Sequence, residues 1–151
     1  MNDSLLKHNI KSALSWEPRI KEPEGIRVTV RDGIVTLSGR VESYMEKLDA
    51  ERAATRVYGV KAVVTELEVC LPSFSKRSDG HIAQAAVSAL EWTTGVPQDK
   101  IRVTVEYGWI TLEGAVYWHY QRRAAEDEVK SLTGVKGILN LIVIEEKRRV
   151  A

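Results

Sequence analysis

The amino-acid sequence predicts an α+β fold of two tandem αββαβ modules, each a small three-stranded mixed sheet with two helices packed on one face. The main observation is a repeat: the segment IRVTV at 26–30 recurs at 101–105, followed both times by glycines and apolar residues at equal spacing. Within each copy the apolar periodicity changes between helical and strand-like values. We therefore predict one domain at 1–72, a linker at 73–78, a second domain at 79–146 and a basic tail at 147–151.

The first helix of each copy is amphipathic. Asp3 and Asp79 are its predicted N-caps, and Pro18 and Pro97 stop the helical pattern. Apolar residues recur at the three- and four-residue spacing of one helical face. In copy one they are Leu6, Ile10, Ala13 and Leu14, and in copy two Ile82, Ala86, Ala89 and Leu90.

A tryptophan ends this helix in both copies, as Trp16 and Trp92. An indole ring carries a large apolar area, so burial stabilises a small module considerably. We expect both rings to fill the space between the helix and the sheet. Contact with a ligand is the alternative interpretation.

A β-hairpin follows the first helix. Apolar and polar residues alternate over 26–31, which is typical of a half-buried strand. Asp32-Gly33 and, in copy two, Tyr107-Gly108 occupy the turn and predict type I′ geometry. The predicted inward residues of the return strands are Val35, Leu37 and Val41 in copy one, and Ile110, Leu112 and Val116 in copy two.

A second helix and a third strand complete each copy. In copy one the helix is predicted from Ser43 to Tyr58, with Gly59 just after its C-terminal end. Its core stripe is Ala50, Ala53, Ala54 and Val57. The inward residues of the last strand are predicted to be Val63, Leu67 and Val69, and in copy two Ile138, Ile142 and Ile144.

Composition and charge exclude several classes of protein. The 22 basic and 21 acidic residues give a net charge of +1, so no nucleic-acid partner is expected. Cys70 is the single cysteine, which excludes an intramolecular disulfide. The N-terminal residues do not form a secretion signal, and no segment is apolar over the ~20 residues of a membrane span. We expect a cytoplasmic protein, or a periplasmic one if a longer natural chain has been trimmed.

Residues that carry chemistry are few and scattered. His8, His81 and His119 lie on separate elements without metal-ligand spacing, so we predict no metal site. The sequence contains no nucleophile motif and no phosphate-binding loop. We therefore expect neither catalytic residues nor a cofactor.

The second copy departs from the repeat where its second helix begins. Ser43 with Glu46 predicts a capping box in copy one, whereas copy two has Trp118 with Gln121, and an indole cannot accept the capping hydrogen bond. Trp109 also points outward from its strand. We predict a lipid- or partner-contact patch formed by Trp109, Tyr117, Trp118, Tyr120, Arg122 and Arg123. The alternative is that these rings are buried between the modules or between two chains.

The run from Val28 through Asp32-Gly33 to Val41, followed by an Ala-rich helix and Gly59-Val60, resembles a BON domain. Copy two is similar to the same module, and together they cover nearly the whole chain. The shared structural glycines of the motif are Gly33, Gly39, Gly59, Gly108, Gly114 and Gly134. The resemblance implies a bacterial, non-catalytic module of osmotic or envelope stress that contacts phospholipid.

Three functions remain open at this point. Binding to phospholipid or a membrane surface is our first hypothesis. A cytoplasmic potassium sensor is the second, because another BON relative binds this monovalent cation. A protein-protein interaction or self-association module is the third.

Overall fold

The computed structural model describes residues 2–145 and divides into two compact units between Leu71 and Pro72. We call them module 1 and module 2. Module 1 contains α1 (Asp3–Ser15), β1 (Ile26–Arg31), β2 (Ile34–Val41), α2 (Tyr44–Thr55) and β3 (Ala62–Val69). Module 2 contains α3 (Asp79–Trp92), β4 (Ile101–Glu106), β5 (Trp109–Val116), α4 (His119–Lys130) and β6 (Gly137–Ile144). The predicted order of elements is confirmed in both, whereas the predicted basic tail at 147–151 lies outside the described residues.

Each module has one three-stranded mixed sheet, in the order β1-β2-β3 or β4-β5-β6. The hairpin makes β1 and β2 antiparallel, and the α2 crossover makes β2 and β3 parallel. Module 2 has the same pairing and register. The central strand is therefore the hairpin's second strand, and each outer strand has one edge to which no further strand of residues 2–145 pairs.

Both helices of a module pack on one face of its sheet, where the core lies. In module 1 the buried apolar residues come from α1, the three strands and α2, together with Ile20 in the loop after α1. The stripe alanines Ala50 and Ala54 are fully buried, and Ala53 and Val57 pack against this core. The α+β prediction is confirmed. The opposite, open face of the sheet carries the alternate residues, of which Arg27 and Thr29 are exposed.

The hairpin turns have the predicted geometry. Asp32 and Gly33 have φ values of 52° and 81°, and Tyr107 and Gly108 have 49° and 82°. Two consecutive residues with positive φ are the signature of a type I′ turn.

The predicted N-caps Asp3 and Asp79 are wrong by one residue. Asn2 caps α1 by accepting from the Leu5 N–H at 2.7 Å, and Ser78 caps α3. The aspartates lie in the first turn, where the carboxylate of Asp79 reaches across to the β4-β5 turn. It accepts from the N–H groups of Tyr107 and Gly108, both at 2.9 Å.

The second helix of module 1 is shorter than predicted. It ends at Thr55 instead of Tyr58, because the chain tightens into a turn in which the Val57 N–H donates to Ala54 O at 3.3 Å. Gly59, at φ 98°, belongs to the loop before β3 and not to the helix terminus.

The expectation that Trp16 and Trp92 fill the core is wrong. Their side chains are 85% and 88% exposed. Each lies two residues after the last buried leucine of its helix, Leu14 or Leu90. Since a helix turns about 100° per residue, this position faces away from the sheet.

The six glycines shared by the repeat all have positive φ. Gly39 and Gly114 also permit a close backbone approach. A Cβ on either would overlap a carbonyl oxygen, that of Gly25 or of Lys100. These contacts hold the start of each hairpin against the end of its second strand.

Candidate functional site: an aromatic end and an apolar sheet face

The exposed tryptophans lie at the same end of their respective modules. In module 2 the Asp79 contacts hold the start of α3 at the hairpin turn, so the helix finishes at the opposite end, with Trp92. At that end the side-chain amide of Gln121 in α4 donates to Gly95 O at 3.2 Å. We call this the aromatic end of module 2, formed by Trp92, Tyr117, Trp118 and Tyr120.

Two rings of the aromatic end contact other parts of module 2. The ammonium of Lys100 lies 4.6 Å from the centroid of the Tyr117 ring, within cation-π range. The ring of Tyr120 lies beside Gly95. The exposed fractions are 52% for Trp118 and 58% for Tyr120. This end therefore presents aromatic surface to solvent within the single chain.

The start of α4 has only one of the two hydrogen bonds of a capping box. Gln121 accepts from the Trp118 N–H at 3.2 Å, but the indole offers no acceptor to the first turn. In module 1 Ser43 accepts from the Glu46 N–H at 3.1 Å. The Glu46 carboxylate then accepts from the Glu42 N–H at 2.9 Å instead of from Ser43. Module 2 thus has an exposed ring where module 1 has a capping hydroxyl.

Arg122, a residue of the predicted patch, is bound to the sheet. Its guanidinium donates to Ile142 O at 2.9 Å and to Asn140 O at 3.1 Å. Asn140 accepts from the Ile142 N–H at 3.1 Å and donates to Arg122 O at 3.3 Å. These bonds occupy the middle of the free edge of β6, which protects it from strand addition. Arg123, in contrast, is exposed.

Trp109 lies apart from the aromatic end. It begins β5, whereas Tyr117 follows the last residue of that strand, which separates them by about 25 Å at the rise of a β-strand. The ring lies on the open face over Gly137, its partner in β6. The structure therefore divides the predicted patch among the aromatic end, the β6 edge and the open face.

The open face of module 2 has an apolar row that sequence reasoning missed. Leu139, Leu141 and Val143 of β6 are each about half exposed on this face, beside Trp109. A comparison of the two copies would have revealed this row, since Glu66 and Glu68 of module 1 occupy the positions of Leu141 and Val143. There Glu68 pairs with Arg40 at 3.9 Å. The fold itself therefore does not require an apolar open face.

Module 1 instead buries charge in its second helix. Asp49 is 3% exposed, and its Oδ1 lies 3.8 Å from the guanidinium groups of both Arg19 and Arg52. Its Oδ2 has no hydrogen-bond partner among residues 2–145. Alanine stands at this position in module 2. The two arginines offset the charge of the buried carboxylate, so we interpret this cluster as structural.

Residues 2–145 contain neither a metal-binding cluster nor a membrane-spanning helix. No three His, Cys, Asp or Glu side chains come together in a group that could hold a metal ion. None of the helices described there is long and apolar enough to cross a bilayer.

Comparison with known families follows the division into modules. The BON domain model matches residues 2–70 and 78–146. The chain belongs to the BON domain family. Over 145 residues it is 30% identical to osmotically-inducible protein Y of Escherichia coli (strain K12), covering 93% of this chain and 71% of that protein. The predicted tandem BON organisation is confirmed, and the chain is related to a protein of the osmotic response.

Two solved structures are also similar to the chain. Both are of CdsD, a structural protein of the type III secretion system of Chlamydia trachomatis. One, its C-terminal domain, is 15% identical with a TM-score of 0.39, covering 96% of this chain and 68% of that one. The other is 16% identical with a TM-score of 0.41, covering 98% and 66%. A likeness at this level supports no inference about function.

Proposed function

We propose that this BON protein is non-catalytic and binds phospholipid at a membrane surface, in the response of a bacterium to osmotic or envelope stress. The observation that carries the proposal is the exposed tryptophan at the same end of both modules, Trp16 and Trp92. The relationship to osmotically-inducible protein Y supports the stress response. The cytoplasm is the proposed location, so the surface would be the inner face of the cell membrane.

The aromatic end has the chemistry of a membrane interface. Tryptophan and tyrosine favour the headgroup region, where the ring meets apolar chains and the polar atom meets water. An exposed aromatic side chain of 150–250 Å² would gain ~2 kcal/mol from burying about half its area. Lys100 and Arg123 are exposed cations of module 2, but Glu91 and Asp99 are exposed acids. We therefore expect the rings to supply more affinity than charge does.

Vesicle co-sedimentation tests the proposal. The full chain is mixed with vesicles of phosphatidylcholine and phosphatidylglycerol, and the bound fraction is compared with that of the double variant Trp92→Ala/Trp118→Ala. The matched control is Tyr107→Asp, which removes an 80% exposed ring from the opposite end of the module and introduces the residue of module 1 at that position.

We expect the wild type and the Tyr107 control to sediment with vesicles. Loss of ~2 kcal/mol per ring lowers the partition coefficient about 30-fold for each tryptophan. Wild-type protein that stays in the supernatant contradicts membrane binding. Equal losses for the control and the double variant contradict the assignment to the aromatic end.

Self-association is a second candidate function, favoured by the apolar open face of module 2. Three strands, the longest of eight residues, form a face of about 14 by 26 Å. This is a flat area of about 370 Å², below the ~800 Å² per partner of a stable interface, so we expect a weak dimer. Sedimentation equilibrium of Leu141→Glu/Val143→Glu, which imports the glutamates of module 1, tests it. A wild-type monomer at all concentrations contradicts it.

Potassium sensing stays a prediction from the family resemblance. A potassium ion bound to the native state would raise the melting temperature beyond its value in sodium at equal ionic strength. Equal melting temperatures in the two salts would remove this function.

A further inference from the structure

Each module has a groove between its first helix and the free edge of its first strand. In module 1 the groove has a volume of about 370 Å³. Its apolar lining residues are Leu14, Pro23, Ile26 and Val28, and its charged walls include Lys7, Lys11 and Arg27. The equivalent groove of module 2 measures about 260 Å³. The repeat therefore provides two versions of one groove in a single chain.

The two grooves have opposite charge. Glu24 is the single acid among the residues that line the groove of module 1, against its three cations. In module 2 the charged lining residues are Glu91 and Asp99. Alanine and valine replace the two lysines at 83 and 87. Since the groove persists while its charge reverses, the lysines of module 1 are not a requirement of the fold.

One wall of the groove in module 1 is an unpaired strand edge. β1 pairs with β2 on one side, and no strand of residues 2–145 pairs with its other side. The β6 edge of module 2 has its central carbonyl groups occupied by Arg122. In module 1 the carboxylate of Asp3 reaches the hairpin, where it accepts from the Asp32 N–H in the turn at 3.1 Å. Backbone N–H and C=O groups on this edge of β1 therefore have no strand partner within residues 2–145, and they lie beside the buried side chains of Leu14, Ile26 and Val28.

We propose that the groove of module 1 binds an extended acidic peptide segment of a partner protein, which adds a strand to the free edge of β1. The backbone of the segment pairs with β1, and its alternate apolar side chains cover what remains exposed of Ile26 and Val28, which are 4% and 1% exposed. Its carboxylates lie beside Lys7 and Lys11. Strand addition gives affinity through main-chain bonds and selectivity through alternate side chains.

One property of the groove favours a peptide over an acyl chain, and a second property selects among peptides. An acyl chain would remove water from the edge N–H and C=O groups without replacing their hydrogen bonds, which is unfavourable. An extended peptide replaces those bonds one for one. The lysines attract acidic side chains and repel basic ones, which selects among peptides.

The experiment uses the immobilised full chain and a library of peptides whose central six residues match the length of β1. Acidic residues alternate with apolar ones, and a second library has lysine in place of each acid. Retained peptides are identified by sequencing, and their affinities are measured by fluorescence anisotropy. The variant Lys7→Ala/Lys11→Val introduces the module 2 residues at two exposed positions, and circular dichroism checks that it folds.

We expect enrichment of the acidic library alone. Loss of two exposed charge contacts weakens the best peptide roughly 2- to 30-fold in the double variant. N-methylation of alternate peptide amides on the pairing edge abolishes binding, because it removes the donors to β1. We expect Lys7→Ala/Lys11→Val to bind vesicles as the wild type does. A failure of the peptide proposal can therefore be distinguished from a failure of the membrane proposal.

Three results overturn the inference. The first is equal retention of the acidic and lysine libraries, or no enrichment of either. The second is unchanged affinity after N-methylation, which excludes strand pairing. The third is lysine-dependent binding of lysophosphatidylglycerol below its micelle concentration without peptide enrichment, which assigns the groove to a lipid.

Discussion

The substitution Gly137→Ala tests the packing of the open face of module 2. The ring of Trp109 lies over Gly137, and a Cβ there would overlap three carbon atoms of the indole. Module 1 has Ile34 and Ala62 at the two equivalent positions, which are also cross-strand partners. Module 2 therefore pairs the larger residue, tryptophan, with the smaller partner, glycine. We expect this pair to be energetically coupled.

The sign of the change in stability distinguishes displacement of the indole from the ordinary preference of a strand for alanine over glycine. Alanine is about 0.5–1 kcal/mol more favourable than glycine in a strand. Here the methyl group must displace an indole that is 47% exposed. About half of a tryptophan's 150–250 Å² is then uncovered, which costs about 2–3 kcal/mol. The expected net change is a destabilisation of about 1–2 kcal/mol.

Amide hydrogen exchange of β5 and β6 in the full chain measures this change by residue. The double variant Trp109→Ile/Gly137→Ala recreates the module 1 pair, and we expect it to recover ~1 kcal/mol relative to the sum of the single variants. A Gly137→Ala protein that is more stable than wild type would refute the argument. Additive single effects would show that the ring and the glycine are not coupled.

Three other predictions concern stability and assembly. Asp79→Ala removes two hydrogen bonds to the hairpin turn, so we expect it to lower the free energy of unfolding by about 1–2 kcal/mol in urea denaturation. Asp3→Ala removes one such bond, at 3.1 Å, and should lower it less. A larger loss for Asp3→Ala than for Asp79→Ala would contradict this. Arg122→Ala frees the β6 edge, so light scattering should show increased aggregation, with unchanged vesicle binding as the control. If the wild type dimerises, Leu141→Glu/Val143→Glu should give a monomer by sedimentation equilibrium; a persistent dimer excludes this face.

Most of the fold could be predicted from the sequence because each element occurs in both copies of the repeat. A pattern that appears in both copies, such as the alternation of 26–30 and 101–105, reflects a requirement of the module. The turn geometry could also be predicted from the sequence, since Asp32-Gly33 permits positive φ at both positions. The N-caps were misassigned because Asn2 and Ser78 precede aspartates that can also cap, and only the structure shows those carboxylates at the hairpin turns.

The candidate site was less predictable because exposure depends on which side of an element a residue faces. Trp16 and Trp92 were assigned to the core from size, although two positions beyond a buried leucine a helix faces outward. Arg122 was grouped with aromatic neighbours in sequence, but its guanidinium binds the β6 backbone. The apolar row of β6 was missed because only the inward residues Ile138, Ile142 and Ile144 were assigned, although the run GILNLIVI is apolar on both faces.

Membrane contact by the aromatic end is the central claim, and quenching of tryptophan fluorescence by brominated phosphatidylglycerol tests it most directly. One variant keeps only Trp92, with phenylalanine at positions 16, 109 and 118, and its matched control keeps only Trp109. We predict strong quenching and a blue-shifted emission for the Trp92 protein on vesicles, with little change for the Trp109 protein. Unquenched Trp92, or equal quenching of both tryptophans, would contradict the account.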